Sequence, residues 1–89
     1  MKAIITVIGN DKVGIIYRVS GVLAEVNVNI LDISQTTMQD IFTMMMLVDI
    51  KEASVSIDEI SKKLESLGEE MGLSIRIQHE DVFNSMHRI

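Results

Sequence analysis

The sequence predicts an α+β sandwich in which four strands form one antiparallel sheet and two helices cover one face of that sheet. Strand and helix patterns follow one another in the order β-α-β-β-α-β. Neither Pro nor a Gly/Ser-rich linker divides the 89 residues, so a single domain over residues 1–89 is expected. Two β-α-β halves with both helices on one face form a ferredoxin-like sandwich.

The first strand and the first helix are joined by a short polar loop. Residues 3–8 are rich in Ile and Val and precede a turn sequence, which predicts a strand. From Val13 onward the apolar residues recur at helical spacing. The core-facing positions of this helix are predicted to be Ile15, Ile16, Val19, Val22, Leu23 and Val26. Small residues at Ser20 and Gly21 are expected to let the helix lie close to the sheet, and Asn27 to end it.

Two strands joined by a tight turn are predicted in the middle of the chain. Over residues 28–38 the apolar residues before Leu31 are out of phase with those after it, which predicts a β-bulge near Leu31 and Asp32. Residues 39–40 supply the turn. The next strand has one wholly apolar face, formed by Phe42, Met44, Met46, Val48 and Ile50. Its other face carries Met45 and Leu47, which are too apolar for a solvent-exposed surface, so a second chain is expected on the open side of the sheet or along one of its edges.

The second helix has clear signals at both ends. Ser56 and Glu59 have the spacing of a capping box, and Gly72 is a left-handed stop signal. The core-facing residues between them are predicted to be Ile57, Ile60, Leu64, Leu67 and Met71. Alternating residues 73–80 predict the last strand, and residues 82–89 a short amphipathic C-terminal tail.

Composition and charge exclude several classes of protein. The absence of Cys rules out disulfides, thiolate zinc sites and cysteine nucleophiles. A net charge of -5 without a run of Lys or Arg argues against nucleic-acid binding, and 3% aromatic residues are too few for an RNA-stacking sheet. No apolar stretch approaches the roughly 20 residues that span a bilayer. Without a cleavage site after the first strand, a cytoplasmic protein without membrane partners is expected.

Chemistry-bearing motifs are few. No phosphate-cradling Gly-rich loop and no nucleophile–base spacing is present, so neither an enzyme nor a cofactor is predicted. His79 with Glu80, Asp81 and His87 is a metal-capable set. Its spacing matches no closed zinc motif, so these histidines are only weak metal candidates and no metal site is predicted. The alternative is that His79 is a partly buried strand residue.

The loop between the first strand and the first helix is the strongest candidate for a binding site. A helix N-terminus exposes backbone N–H groups and the positive end of the helix dipole, which together can hold a carboxylate or a phosphate. Gly14 would let a ligand approach the backbone. The alternative is structural: Asp11 caps the helix and Gly14 relieves crowding.

Residues 11–16 (DKVGII) and 27–30 (NVNI) resemble the corresponding segments of the ACT domain, a small regulatory module that binds amino acids. The likeness extends over the whole chain, from the order of elements to the ending that contains residues 79–81 and Phe83. Free-standing bacterial ACT proteins, similar to the repeats of glycine-cleavage regulators, are the nearest group. ACT loops often carry Pro where this chain has Val13.

The resemblance implies a ligand site between the first loop and the start of the second strand, often at a dimer interface. The backbone of residues 11–15 would hold the carboxylate of an amino acid, and Asn29 would offer its side-chain amide. The implied ligand-binding residues are Asn10, Asp11, Lys12, Val13, Gly14, Ile15 and Asn29.

The implied function is a homodimeric regulatory module that senses a small amino acid and signals to an unidentified protein partner through a population shift. An alternative that rests on the residues alone is a protein–protein interaction module without a small ligand, which would use Met45, Leu47 and the tail 82–89. A metal-binding module through His79 and His87 is a third and weaker alternative.

Overall fold

A computed structural model describes residues 1–10 and 13–86 of the chain, apart from the side chains of Phe83, Ser85 and Met86. Seven elements follow one another in these residues. They are β1 (Lys2–Gly9), α1 (Ile15–Glu25), β2 (Asn29–Met38), β3 (Ile41–Asp49), α2 (Ile57–Met71), β4 (Ser74–His79) and α3 (Glu80–Met86). The predicted β-α-β-β-α-β order is confirmed, with α3 added at its end.

The four strands form one sheet in the order β2-β3-β1-β4, and each neighbouring pair is antiparallel. This arrangement confirms the predicted ferredoxin-like sandwich. β1 and β2 run in the same direction but are separated by β3, and β2 and β4 form the two edges of the sheet. None of the helices in the described part of the chain is long and apolar enough to cross a bilayer.

One apolar core lies between the sheet and the helices α1 and α2. Met44 and Met46 of β3 are fully buried in it, as predicted, together with Ile60 and Leu64 of α2. Each such side chain contributes about 1.5–3 kcal/mol to folding relative to an exposed position. The core therefore fixes both helices on the same face of the sheet.

The core-facing side of α1 differs in part from the prediction. Ile15, Val19 and Leu23 are fully buried, whereas Ile16 is 38% exposed. These three residues are four positions apart and therefore lie on one face of the helix, which packs on the core. Ile16 lies at the edge of that face. The expectation for Gly21 is wrong: it is exposed, and a Cβ placed on it would meet nothing within 4 Å in the described part of the chain.

Both long helices end as the sequence predicts. Asn27 follows α1 in the left-handed region at φ 61°, and the Val28 N–H donates to the Leu23 carbonyl oxygen at 2.9 Å. Gly72 follows α2 at φ 71°, and the Leu73 N–H donates to the Gly68 carbonyl oxygen at 2.8 Å. These bonds satisfy carbonyl groups that a helix end otherwise leaves unpaired.

The irregular parts of the sheet also follow the sequence. The register between β2 and β3 shifts between Ile30 and Asp32, which confirms the predicted bulge. Gln39 supplies the left-handed turn residue at φ 55°. At the other end of the chain β4 stops at His79, and Glu80 already begins α3. The last helix therefore starts two residues earlier than the predicted tail 82–89.

Candidate functional site

The first helix begins at a glycine that has a left-handed backbone. Gly14 has φ 76°, and its carbonyl oxygen accepts the first helical hydrogen bond, from the Arg18 N–H at 2.9 Å. The helical residues before Arg18 therefore have N–H groups without a partner inside the helix. Gly14 has no side chain that could cap them, and a Cβ placed on it would meet no atom of residues 1–10 and 13–86 within 4 Å. Among the described residues, no side chain therefore occupies the position at the start of α1 where a capping side chain would stand.

The predicted loop residues are divided between solvent and core. Asn10 and Gly14 are exposed, and Val13 is 81% exposed. The Ile15 side chain is fully buried, so only the backbone of Ile15 is available to a ligand. Asp11 and Lys12 lie outside the described residues. The alternative that Asp11 caps the helix therefore stays a prediction.

A contact that the sequence analysis missed positions the loop. The Leu73 side chain lies against Gly9, the last residue of β1, so closely that a Cβ on Gly9 would overlap its Cδ2 atom. Leu73 itself is placed by the left-handed Gly72 that ends α2. The point at which the loop leaves the sheet is therefore fixed by the end of the second helix. Only the glycine at the end of the strand could have signalled this contact.

Asn29 lies at the opposite end of the sheet from the loop. In the strand register, Asn29 pairs with Asp49 of β3, which pairs with Lys2 at the start of β1. The loop follows Gly9, at the far end of β1. Seven residues of extended chain separate these two ends, a distance of about 23 Å. One copy of the chain therefore does not bring Asn29 to its own loop.

Exposed apolar side chains surround the loop end of the sheet, and the sequence analysis did not select them. They are Ile8 (44% exposed), Tyr17 (80%), Met38 (72%) and Ile41 (50%). Tyr17 lies in the first turn of α1, and Met38 and Ile41 flank the turn between β2 and β3. Tyr17 lies outside the apolar face of α1 that packs on the core. This position is the one sequence signal that could have identified Tyr17 as an exposed apolar residue.

The end of the sheet that carries Asn29 has its own electrostatic arrangement. The Asp49 carboxylate accepts the Lys51 backbone N–H at 2.9 Å and lies 3.5 Å from the N-terminal ammonium group. The hydrogen bond from Lys51, followed by the N-terminal charge, lowers the pKa of Asp49 below its ordinary value. Asp49 therefore stays ionised next to Asn29 at neutral pH.

The weak metal candidates do not form a cluster in the described residues. His79 is half-buried at the end of β4 and pairs with Ala3 in the strand register. His87 lies outside the described residues. Within residues 1–10 and 13–86, no group of three or more His, Asp or Glu side chains is arranged to hold a metal ion.

Comparison with known proteins identifies the class to which this fold and this loop belong. The family model of the ACT domain matches residues 2–78, so the chain belongs to the ACT domain family. ACT domains are typically regulatory modules that bind amino acids, and membership points to a regulatory, non-catalytic role.

Individual proteins resemble this chain in sequence or in structure. A UPF0237 protein of Clostridium acetobutylicum is 58% identical over 89 residues, which is the full length of both chains. The structure of an ACT domain protein from Streptococcus pneumoniae is 43% identical, with a TM-score of 0.82 over 93% of each chain. A putative glycine cleavage system transcriptional repressor shares the fold, with a TM-score of 0.72 and 24% identity over 86% of this chain and 44% of that chain.

Proposed function

We propose that this chain is a homodimeric regulatory module that binds a small amino acid at the start of α1 and signals to a partner protein. The observation that carries the proposal is the open N-terminus of α1, where Gly14 is exposed in the left-handed region and has no side chain to cap the helix. Membership of the ACT domain family supports the same class of ligand.

The carboxylate of the ligand binds to the backbone at the loop and the first turn. Unpaired N–H groups and the positive end of the helix dipole both favour an anion there. No acidic residue lies in the first turn of α1, so the helix itself offers no competing carboxylate in that turn. The proposed binding residues in this copy are Asn10 and the backbone of residues 11–15.

A second copy supplies Asn29. The 10-residue strand β2 forms an edge of the sheet, so one side of its backbone is available to another strand. If two β2 edges pair in antiparallel fashion, the start of one strand lies beside the end of the other. Asn29 of one copy then lies at the loop end of its partner. The separation of about 23 Å within one chain therefore does not prevent a shared site.

The mechanism of regulation follows from this shared site. A ligand that contacts both copies binds the paired arrangement more tightly than the separate chains. It therefore shifts the population toward that arrangement, by as much as its affinities for the two states differ. The partner protein recognises the shifted population.

The first experiment is a thermal-shift screen with free amino acids at millimolar concentration. A ligand at a hundredfold excess over its Kd stabilises the folded state by about 2.7 kcal/mol. We expect one or two amino acids to raise the midpoint of wild-type protein. Asn29→Ala abolishes this shift, whereas Gln35→Ala, at another exposed position of the same strand, keeps it. An unchanged shift in Asn29→Ala contradicts the proposed site.

A mixing experiment tests whether the site is shared between copies. Gly14→Asp puts a carboxylate where the ligand carboxylate binds, and Asp tolerates the left-handed region. Neither this variant nor Asn29→Ala binds the ligand alone. In a mixed dimer, the intact loop of the Asn29→Ala chain meets the intact Asn29 of the other chain. We therefore expect ligand binding to return after the two variants are mixed, at one site per mixed dimer. If the mixture of the two variants still binds no ligand, a shared site is contradicted.

An interaction module without a small ligand is the second candidate, because the sheet has apolar residues on its open side. Met45 and Leu47 are only half-buried there, and Val82 of α3 is 49% exposed. A flat amino-acid screen combined with loss of partner binding on deletion of residues 82–89 favours this candidate over the sensor.

A further inference from the structure

The face of the sheet opposite α1 and α2 is partly apolar. The side chains that alternate with the core residues lie on this open face, which is defined here by Ile4, Thr6 and Ile8 of β1 and Thr43, Met45 and Leu47 of β3. A shallow depression of about 190 Å³ lies over β3, and its lining includes Ile4 of β1, Leu47 of β3, and Ser34 and Asp32 of β2. Half-buried apolar side chains at the centre of a sheet are typical of a surface that another protein covers.

We propose that a second copy of this chain covers the open face, related by a two-fold axis that runs parallel to the strands above the boundary between β1 and β3. Two stacked sheets lie about 10 Å apart with their strands within about 30° of each other. This axis places β1 over the β3 strand of the partner and β4 over its β2 strand. The central apolar residues of the two copies then face each other.

The charges at the margins of the open face are self-complementary about this axis. Arg76 of β4 is level with Ser34 of β2, and Asp32 is one same-face step further along that strand. In the pair, Arg76 therefore stands about 7 Å along the strands from Asp32 of the other copy, within reach of an extended arginine side chain. Neither Arg76 nor Asp32 forms an ion pair within residues 1–10 and 13–86.

A second charge contact lies at the start of β1. Lys2 and Asp49 pair in the strand register and share the open face. Since the axis exchanges β1 with β3, Lys2 of each copy stands over Asp49 of the other. A two-fold axis across the strands would instead stack each strand on its own counterpart and bring the two Arg76 side chains together. Like charges at that distance oppose association, so the charge pattern selects the axis along the strands.

The area of the face indicates a weak pair. Four strands at about 4.8 Å and eight residues at about 3.3 Å give roughly 500 Å² per copy, or about 1,000 Å² in total. This total is near the lower limit for a specific interface, so the pair is expected to depend on concentration.

This face pair is separate from the pairing of β2 edges in the proposed amino-acid site. The two symmetry axes do not meet, so a copy that used both contacts at once would extend an open-ended array instead of closing a tetramer. A probe of the face pair must therefore report the open face alone, without amino acid and over a series of protein concentrations.

Cysteine crosslinking provides such a probe, because the chain contains no Cys. Thr43→Cys places one thiol on the open face, where β3 of each copy lies one strand away from β3 of the other. We expect a short bismaleimide to join two Thr43→Cys chains. Glu65→Cys, at an exposed position of α2, is the matched control. If the crosslinking yield of Thr43→Cys is no higher than that of Glu65→Cys, the proposal is overturned. The open face is then either exposed to solvent or covered by a different protein.

Charge reversal then tests the axis. In the Thr43→Cys background, Arg76→Glu and Asp32→Arg each place like charges opposite each other, and each is expected to raise the apparent Kd of crosslinking about tenfold. The double variant exchanges the two charges and restores attraction, so its crosslinking returns toward the original level. A double variant that crosslinks no better than either single variant overturns the proposed pairing. Amino-acid binding plays no part in this readout, so its outcome is independent of the proposed function.

Discussion

The two long helices of the molecule begin in opposite ways. At the start of α2, the Ser56 side-chain oxygen accepts the Glu59 N–H at 3.3 Å, and Asp58 and Glu59 lie in the first turn. At the start of α1, Gly14 occupies the corresponding position without a side chain, and the first turn contains no acidic residue. The N-cap residue and the first turn of α2 therefore cap that helix and compensate its dipole. The N-cap residue and the first turn of α1 do neither.

This difference indicates where a ligand has something to contribute. Acidic side chains near a helix N-terminus contribute about 0.3–1 kcal/mol through the helix dipole, and an Ncap side chain contributes about 1 kcal/mol. In α2 the sequence of the chain already supplies both. In α1 an external carboxylate can supply them, which is why the proposed site is at that helix.

The largest expected effect contrasts the glycines inside the two helices. A Cβ on Gly68 of α2 would stand 2.7 Å from the Leu73 carbonyl oxygen, whereas a Cβ on Gly21 of α1 would meet none of the described atoms within 4 Å. We expect Gly68→Ala to lower the free energy of unfolding by about 2–3 kcal/mol. Gly21→Ala should raise it by about 0.5–1 kcal/mol, because Ala favours the helix. Urea denaturation of the two variants measures both changes; a stabilised Gly68→Ala would contradict the close approach.

The next contrast concerns the two left-handed glycines, Gly14 before α1 and Gly72 after α2. Their φ angles, 76° and 71°, are nearly equal, and a Cβ at either position would meet no atom of the described residues within 4 Å. Substitution by Ala should cost about 1–2 kcal/mol at either position, because a side chain disfavours this backbone region. Only Gly14→Ala should weaken amino-acid binding, as measured by calorimetry with the ligand from the thermal screen. Equal binding in the two variants would remove Gly14 from the site.

The smallest expected effect concerns the cap of α2. Ser56→Ala removes the acceptor for the Glu59 N–H and should lower the free energy of unfolding by about 1 kcal/mol. Ser56→Asp keeps an acceptor and should retain most of the stability. Both variants should bind the amino acid as wild-type protein does, because the cap lies on α2 and not at the proposed site. Impaired binding in Ser56→Ala with a normal fold would show that the two helix starts are not independent.

Local sequence signals were sufficient where a short stretch of chain settles its own conformation. The capping residues of α2, the stop at Gly72 and the alternation of β3 all depend on neighbours within a few residues, and the structure agrees with each of them. The bulge in β2 was also predicted, because an apolar pattern that changes phase must place an extra residue somewhere between Ile30 and Asp32.

Features that depend on residues far apart in the chain could not be predicted from local sequence patterns. The exposure of Ile16 and Gly21 depends on how α1 is rotated over the sheet, which packing decides. The contact between Leu73 and Gly9 joins residues that are 64 positions apart (73 minus 9). No local pattern in either segment specifies the other one.

The sequence by itself determined the order of the elements, the apolar face of β3 and the family to which the chain belongs. Hydrophobic periodicity and capping chemistry are local, and they survive in a linear sequence. Only the tertiary structure decided that Asn29 and the loop lie at opposite ends of one sheet. The physical reason is that β1 and β2 run parallel with β3 between them, so the end of the first strand and the start of the second are separated by the whole length of the sheet.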